Sequence, residues 1–154
     1  MKILILSDTH GETSAAEALI RREHPDHVIH LGDCLRDAED LTRRFPILPI
    51  CAVPGNNDWF TDEPKEKAIR LGGTGIFLCH GHTTGVKGSL AGQLAKTLQR
   101  GCTVSLFGHT HTPYLEEEDG VILLNPGSLT YGHTYAILTL SPGRAPEAEL
   151  KKDE

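Results

Sequence analysis

The sequence predicts an α/β fold in which two packed sheets carry helices on their outer faces. Up to Val53, short apolar runs alternate with helical patterns, and this β-α-β-α-β order implies parallel strands joined by right-handed crossovers. After residue 101 the helical patterns stop, and turn residues separate short apolar runs, which favours antiparallel pairing in the second half. Two sheets accommodate these different halves better than one doubly wound sheet does.

The first half of the chain predicts three strands and two helices. Short apolar runs that end in polar residues or glycine predict strands at residues 3–6, 28–31 and 47–53. Ser14-Ala15-Ala16-Glu17 has the form of a capping box, so a helix is expected from there to about Glu23. Apolar residues at helical spacing predict a second helix over 35–45, which Pro46 ends.

The chain beyond Val53 predicts two hairpins, one helix and three further strands. Residues 67–71 and 74–79 flank Gly72-Gly73, and residues 114–116 and 121–124 flank a second turn. Apolar residues recur every fourth position from Val86 to Leu98, which predicts a helix with Ser89 as a candidate cap. The remaining strands are expected at residues 103–107, 134–140 and 147–150, followed by a solvated tail at 151–154.

Length and charge restrict the class of protein. The 154 residues suit one domain over residues 1–154. No apolar run is long enough for a signal peptide or a membrane span, which predicts a cytoplasmic protein without a membrane partner. The net charge of -6 disfavours general nucleic-acid binding. A homo-oligomer is left open.

Side chains that commonly bind metals follow several predicted strands. Asp8 and His10 come directly after the first strand, and their two-residue spacing directs both to one side if the chain stays extended. Because the carboxyl ends of parallel strands share one sheet edge, ligands after other strands should meet them there. The set contains two carboxylates, one amide and four imidazoles: Asp8, His10, Asp33, Asn56, His80, His109 and His111.

The number and type of these ligands indicate two metal ions. One catalytic zinc ion commonly takes three protein ligands and a water, so seven ligands are too many for a single ion. Seven ligands with one shared carboxylate fit two ions roughly 3.5–4 Å apart. Oxygen and nitrogen donors without thiolate favour Mn²⁺, Fe, Zn²⁺, Ni²⁺ or Co²⁺ over Mg²⁺ or Ca²⁺. Among these, Mn²⁺ is the expected ion. Each stretch alone could be a turn or a helix start; their convergence indicates the site.

The order of these motifs resembles the calcineurin-like metallophosphoesterases. The matching stretches are Asp8-x-His10, Gly32-Asp33, Gly55-Asn56-x-Asp58, His80-Gly81-His82 and Gly108-His109-Thr110-His111. The chain length and the turn at residues 125–128 resemble the small bacterial and archaeal phosphodiesterase branch. The resemblance implies a four-layer αββα sandwich of two mixed sheets. It also implies that Asp8, His10, Asp33 and His111 hold one ion and that Asp33, Asn56, His80 and His109 hold the other, with Asp33 bridging.

The resemblance further implies an enzyme, a metal-dependent phosphodiesterase that hydrolyses a small or nucleotide-like phosphodiester by attack of a metal-bridging hydroxide. Asn56 could also donate its amide hydrogen to a phosphoryl oxygen. Phosphatases of this family carry a histidine directly after that asparagine, thought to protonate the leaving group, but here the position is Asn57. His82 is a candidate substitute acid, with orientation of the site as its alternative role. Trp59 and Phe60 could stack on a nucleobase or pack internally.

Two other classes of function are open to a chain of this kind. A scaffold or binding module on the same fold is the main alternative, as in the retromer subunit that resembles this family and has lost part of the ligand set. All seven ligand positions are filled here, which argues against such a loss. A metallo-β-lactamase-like hydrolase would need an HxHxDH run, and the chain has none.

Overall fold

A computed structural model describes residues 1–154 and contains ten strands and four helices. The strands are β1 (Lys2–Leu6), β2 (His27–His30), β3 (Ile50–Ala52), β4 (Glu66–Leu71), β5 (Thr74–Cys79), β6 (Val104–Leu106), β7 (Tyr114–Glu118), β8 (Val121–Asn125), β9 (Thr134–Thr139) and β10 (Glu147–Lys152). The helices are α1 (Thr13–Glu23), α2 (Leu35–Arg44), α3 (Ala91–Gln99) and α4 (Leu129–Gly132).

The strands form two mixed five-stranded sheets, with the orders β10-β9-β1-β2-β3 and β4-β5-β6-β8-β7. In the first sheet β1, β2 and β3 are parallel, whereas β9 and β10 are antiparallel to their neighbours. In the second sheet β5, β6 and β8 are parallel. The expectation of an antiparallel second half is therefore wrong for these strands, because α3 forms a crossover from β5 to β6 and β7 returns as an edge strand.

Side-chain alternation along the strands produces four layers. In β1, Ile3 and Ile5 face the second sheet, where they join the largest buried cluster together with β5 and β6 residues such as Ile76 and Leu106. Leu4 and Leu6 face the other way and pack beneath α1 and α2. On the outside of the second sheet, α3 covers a smaller cluster. These layers confirm the αββα sandwich.

The helix boundaries differ from the sequence-based expectations. Helix α1 begins at Thr13 without a side-chain cap, so Ser14 lies inside the helix and does not form a capping box. Helix α3 begins only at Ala91; Val86 still packs beside Leu94, but turns place it there. The four-residue helix α4 was not expected, because its signal is a single cap from Ser128. No helix combines the length and the apolar character that a membrane span requires.

Two strands also differ from expectation. Strand β3 covers only residues 50–52, because the prolines at 46 and 49 leave the preceding residues in turns. Strand β10 continues to Lys152, so the expected solvated tail is wrong for residues 151 and 152. The Nζ atom of Lys151 donates a hydrogen bond of 2.8 Å to Glu23 at the end of α1. The last strand is thereby tied to the first helix.

Replacing Glu23 with glutamine is expected to lower the free energy of unfolding at pH 7 by about 2 kcal/mol, since hydrogen bonds to a charged group are lost. Burial raises the pKa of Glu23, but hydrogen bonds from Lys151, Lys2 and Tyr135 outweigh it and lower the pKa to about 2 from the ordinary 4.5. The stabilisation is therefore complete above pH 4.5 and is lost as the pH falls towards 2.

Urea unfolding of the wild type and of Glu23→Gln at several pH values measures this effect. Glu147 is exposed at the start of β10, the strand that carries Lys151. Glu147→Gln is therefore the matched control and should leave the free energy of unfolding unchanged. A wild-type advantage that stays constant from neutral pH down to pH 3 would contradict the assignment.

Candidate metal centre

The loops that carry the predicted ligands meet at the carboxyl ends of β1, β2, β5 and β6. The backbone N–H of Asp8 donates to the carbonyl of Gly32 at 2.9 Å, which joins the loops after β1 and β2. The N–H of Gly108 donates to the carbonyl of His80 at 2.7 Å and joins the loops after β5 and β6. A bond of 3.3 Å from the N–H of His109 to Oδ2 of Asp8 connects the two sheets. Residues distant in sequence therefore share one small region.

The backbone of these loops is unusual. Nine residues other than glycine have a positive φ, and five of them are predicted ligands: Asp8, His10, Asp33, His109 and His111. Such conformations cost free energy and persist where the surrounding structure imposes them, commonly at functional sites. This concentration supports a functional constraint on the loops.

The first cluster contains Asp8, His10 and His111, whose ligand atoms lie within 4.8 Å of one another. Nε2 of His111 is 3.1 Å from Oδ1 of Asp8, and Nε2 of His10 is 3.9 Å from the same oxygen. Asp8 is fully buried, and its other oxygen, Oδ2, accepts hydrogen bonds from the Ser7 hydroxyl and the His109 N–H. Oδ1 therefore faces the two imidazoles.

The second cluster contains Asp8, Asp33 and His80, all buried. Nε2 of His80 is 3.8 Å from Oδ1 of Asp8 and 3.6 Å from Oδ2 of Asp33. Asp8 is therefore the carboxylate common to both clusters, whereas the family resemblance implies Asp33 for the shared position. Both aspartates lie close enough to His80 to hold an ion with it.

The hydrogen bonds of His80 indicate a cation between these groups. Nδ1 of His80 is 2.7 Å from the carbonyl oxygen of Leu31, which can only accept, so Nδ1 carries the hydrogen. In the neutral ring Nε2 then presents a lone pair to two carboxylates. This nitrogen is buried and has no hydrogen-bond partner. A metal cation would satisfy all three groups, and a metal-binding histidine usually donates its other N–H to a backbone carbonyl in this way.

Two further imidazole nitrogens are buried without a hydrogen-bond partner, Nε2 of His10 and Nδ1 of His82. Buried polar atoms in folded proteins are nearly always paired, so three such nitrogens in one region need an explanation. The donors present are carboxylate oxygen and imidazole nitrogen, a set that suits borderline divalent metals. The residues therefore fit the predicted metal site.

His109 and His82 lie beside these clusters. The ring of His109 is 5.0 Å from that of His80, and the ring of His82 is 5.6 Å from it. Burial, together with the nearby His80 and Lys87, lowers the pKa of His109 to about 4. Burial and His80 also lower the pKa of His82. His109 is therefore neutral at neutral pH, the form in which an imidazole can bind a metal.

Asn56 differs from the other predicted ligands. It is exposed, and its side chain makes no hydrogen bond to either cluster. The neighbouring Asn57 contacts the site instead: its backbone N–H donates to Oδ1 of Asp33 at 3.1 Å, and its Nδ2 donates to Oδ2 at 2.8 Å. Asn57 therefore satisfies the carboxylate that the resemblance assigns to the bridge.

The ligand loops are held together by a partly buried polar group that is not itself a predicted ligand. Asp58 accepts hydrogen bonds from the N–H groups of Asp33, Gly55 and Leu35 at 2.9, 2.7 and 2.8 Å. One carboxylate thus fixes the loop after β2 against the loop after β3. Bonds of this kind orient the groups that contact a metal or a substrate.

A second group of polar contacts fixes the loop after β1. His30, buried at the end of β2, accepts from the Gly32 N–H at 3.1 Å and lies 2.9 Å from the Thr9 hydroxyl. The same hydroxyl donates to Asp37 of α2, which also accepts from the Gly11 N–H at 2.7 Å. The sequence reasoning missed Thr9 and Asp37, because a single threonine and a helical aspartate carry no motif.

Three aromatic side chains near the site are exposed. Trp59 is 74% exposed and Phe60 104%, so the internal packing role considered for them is wrong for this chain. Tyr131 is 65% exposed, and its ring lies 5.1 Å from that of His111 and 5.2 Å from that of His10. Sequence reasoning missed Tyr131. The only signal was its position three residues after the turn at 125–128.

Comparison with known proteins places this geometry in a family context. The sequence model of one protein family, the calcineurin-like phosphoesterase superfamily domain, matches residues 1–143. The probable metallophosphoesterase YsnB of Bacillus subtilis is 34% identical over 148 residues, which cover 91% of this chain and 85% of that protein. Phosphodiesterase MJ0936 of Methanocaldococcus jannaschii is 30% identical over 150 residues, with 82% and 83% covered.

Solved structures show the same architecture. Wild-type Vps29 of Entamoeba histolytica, in a crystal structure with Zn²⁺, superposes with a TM-score of 0.78 over 98% of both chains. Its sequence is 20% identical to this one, so the likeness concerns the fold alone.

Proposed function

We propose that this chain, which belongs to the calcineurin-like phosphoesterase superfamily, is a metal-dependent phosphodiesterase. Its substrate would be a small or nucleotide-like diester. The observation that carries the proposal is the unpartnered, buried Nε2 of His80, which faces the carboxylates of Asp8 and Asp33. The diesterase activity named for the related MJ0936 supports the substrate class.

We propose that two divalent ions, Mn²⁺ first among them, bind the seven predicted ligands. His10 and His111 would hold one ion, His80, His109 and Asn56 would hold the other, and Asp8 and Asp33 would supply the carboxylates. When bound, such ions supply an activated water for in-line attack and positive charge that neutralises the phosphate. Asn56 is exposed, and its amide could donate to a phosphoryl oxygen.

The nature of the neighbouring groups favours substrates with good leaving groups. Asn57 cannot donate a proton at neutral pH, and it is already bonded to Asp33. The lowered pKa of His82 keeps its ring neutral at neutral pH, so it is poorly suited to act as a general acid. An orienting role beside His80 and His109 fits His82 better.

His82→Gln is expected to lower kcat about 10- to 100-fold, the usual loss when a group that orients metal ligands is removed. The loss should be equal for substrates with p-nitrophenolate and with alkyl alcohol leaving groups, because an orienting residue does not protonate either. Steady-state kinetics on both substrates measures this. A much larger loss with the alkyl leaving group would instead show that His82 is the general acid.

The proposed function is tested by stripping the protein of metal with a chelator and reloading it with single divalent metals. Hydrolysis of bis-p-nitrophenyl phosphate should appear on loading with Mn²⁺ and exceed hydrolysis of the monoester p-nitrophenyl phosphate. Absence of hydrolysis with every divalent metal from neutral to alkaline pH would exclude the proposal.

A binding module on the same fold is the second candidate. The observations that favour it are the exposed Asn56, outside both clusters, and the hydrogen bonds that Asn57 makes to Asp33. Metal analysis separates the candidates. A binding module should contain less than one firmly bound ion per chain, whereas the enzyme should take up two.

A further inference from the structure

Tyr131 lies on a part of the chain that is fixed rigidly against the loop after β1. The Ser128 hydroxyl donates to the carbonyl of Asp8 at 2.9 Å and accepts from the N–H of Tyr131 at 3.1 Å. The Thr130 hydroxyl donates to the carbonyl of Thr9. Leu129 is buried beneath the helix layer, and its N–H donates to the carbonyl of Ser7 at 3.2 Å. The backbone of α4 therefore has one defined position beside the first metal cluster.

The ring of Tyr131 is nevertheless open to solvent. It is tilted by 30° to the ring of His111 at 5.1 Å and by 49° to that of His10 at 5.2 Å, so it flanks both imidazoles of the first cluster. About two thirds of the side chain remains exposed. Its hydroxyl makes no hydrogen bond within the chain. Fixed backbone with an exposed ring is an arrangement that suits contact with a ligand.

The distribution of aromatic residues supports the same role. The chain has eight Trp, Tyr and Phe residues. The three exposed ones are Trp59, Phe60 and Tyr131, and all lie beside predicted ligand loops. Trp59 is tied to the loop after β3 by a bond of 3.1 Å from its Nε1 to the carbonyl of Asn56. Exposed aromatic rings beside a cluster of candidate ligands are typical of a binding site.

We propose that Tyr131 is the aromatic wall of a subsite beside the His10–His111 cluster that takes the planar aromatic group of the substrate, a nucleobase or an aryl ester. This inference rests on the proposed function, because that function places the phosphate of the substrate at the ligand clusters. Stacking of an aromatic group on Tyr131 would place its linked phosphate at the adjoining cluster. Tyr131 is thus a specificity-determining residue that distinguishes aryl and nucleoside esters from alkyl esters.

Binding of non-hydrolysable ligands tests this without requiring turnover. Isothermal titration calorimetry on the Mn²⁺-loaded protein compares phenylphosphonate with methylphosphonate, which share the charged group and differ in the aromatic ring. The wild type should bind phenylphosphonate about tenfold more tightly, as expected for one aromatic stacking contact. Tyr131→Phe keeps the ring and should retain this preference. Tyr131→Leu keeps apolar bulk without the ring and should lose most of it.

The outcomes separate this inference from the proposed function. Methylphosphonate should bind equally to all three proteins, and their metal content should be equal. If Tyr131→Leu keeps the phenyl preference, or weakens both ligands alike, the subsite is excluded even when the wild type hydrolyses diesters. If the wild type hydrolyses no ester but its phenyl preference depends on Tyr131, the proposed function fails and the subsite stands.

Discussion

Replacing Asp8 with asparagine is expected to lower the proposed phosphodiesterase activity about 1,000-fold or more, because a carboxylate that belongs to both candidate ligand clusters loses its charge. Oδ1 of Asp8 is 3.1 Å from Nε2 of His111 and 3.8 Å from Nε2 of His80. An amide oxygen in its place is a weaker ligand without negative charge. The variant should therefore lose at least one ion, which metal analysis after gel filtration measures.

Asp119→Asn is a close match as a control. Asp119 lies in an exposed turn, and its φ of 52° is almost the same as the 53° of Asp8. Asparagine tolerates this conformation as aspartate does, so both substitutions remove one charge from a left-handed position. Asp119→Asn should keep full activity and both ions. If Asp8→Asn also kept two ions with unchanged affinity, the assignment of Asp8 would be wrong.

Metal analysis of Asp33→Asn, compared with Asp8→Asn, tests which aspartate is shared by the two expected ions. The structure has Asp8 in both clusters, whereas the resemblance makes Asp33 the bridge. We expect both variants to lose activity, and the number of ions left in each identifies the shared ligand. The variant that retains one ion has lost a ligand of one metal only, and the variant that retains none has lost the bridge.

Gly32→Ala is expected to lower the free energy of unfolding by about 3 kcal/mol or more. Gly32 has a φ of 100°, and a Cβ atom there would lie 2.5 Å from the backbone nitrogen of Gly55. The substitution thus combines backbone strain with a clash between two backbones that cannot move apart without separating the loops after β2 and β3. These are the loops that carry Asp33 and Asn56.

Gly101→Ala isolates the contribution of backbone conformation. Gly101 also has a positive φ, 68°, but a Cβ atom there would meet nothing within 4 Å. Its substitution should cost only about 1–2 kcal/mol. Urea unfolding in the presence of a chelator measures both variants without a contribution from metal binding. Equal losses in the two variants would show that the close approach of Gly32 and Gly55 does not matter.

Much of the fold could be predicted from the sequence because the strands are strongly marked. The run Ile3-Leu4-Ile5-Leu6 has too few residues for a helix and is closed by polar residues, so its assignment did not depend on the rest of the chain. The helix starts were less predictable. Val86 and Leu90 have helical spacing, but turns bring them to the same buried cluster as Leu94, and periodicity cannot distinguish these cases.

The local sequence pattern also could not predict the relative direction of strands β6 and β8. Strands β6 and β8 are parallel, although only a hairpin partner and short turns separate them. Their pairing follows from which edge of the second sheet remains free after β5 and β6 have paired. This is a property of the assembled sheet, since each apolar run would fit either direction.

By itself, the sequence determined which side chains are available for the site and their order along the chain. Asp8, His10, Asp33, His80, His109 and His111 all follow strands, and the chemistry of carboxylate and imidazole groups is independent of the fold. Only the tertiary structure decided that Asp8 is common to both clusters, that Asn57 bonds Asp33, and that Tyr131 flanks the site. These relations depend on distances of a few ångströms between loops of different strands. They arise only when the two sheets pack and their strand ends meet.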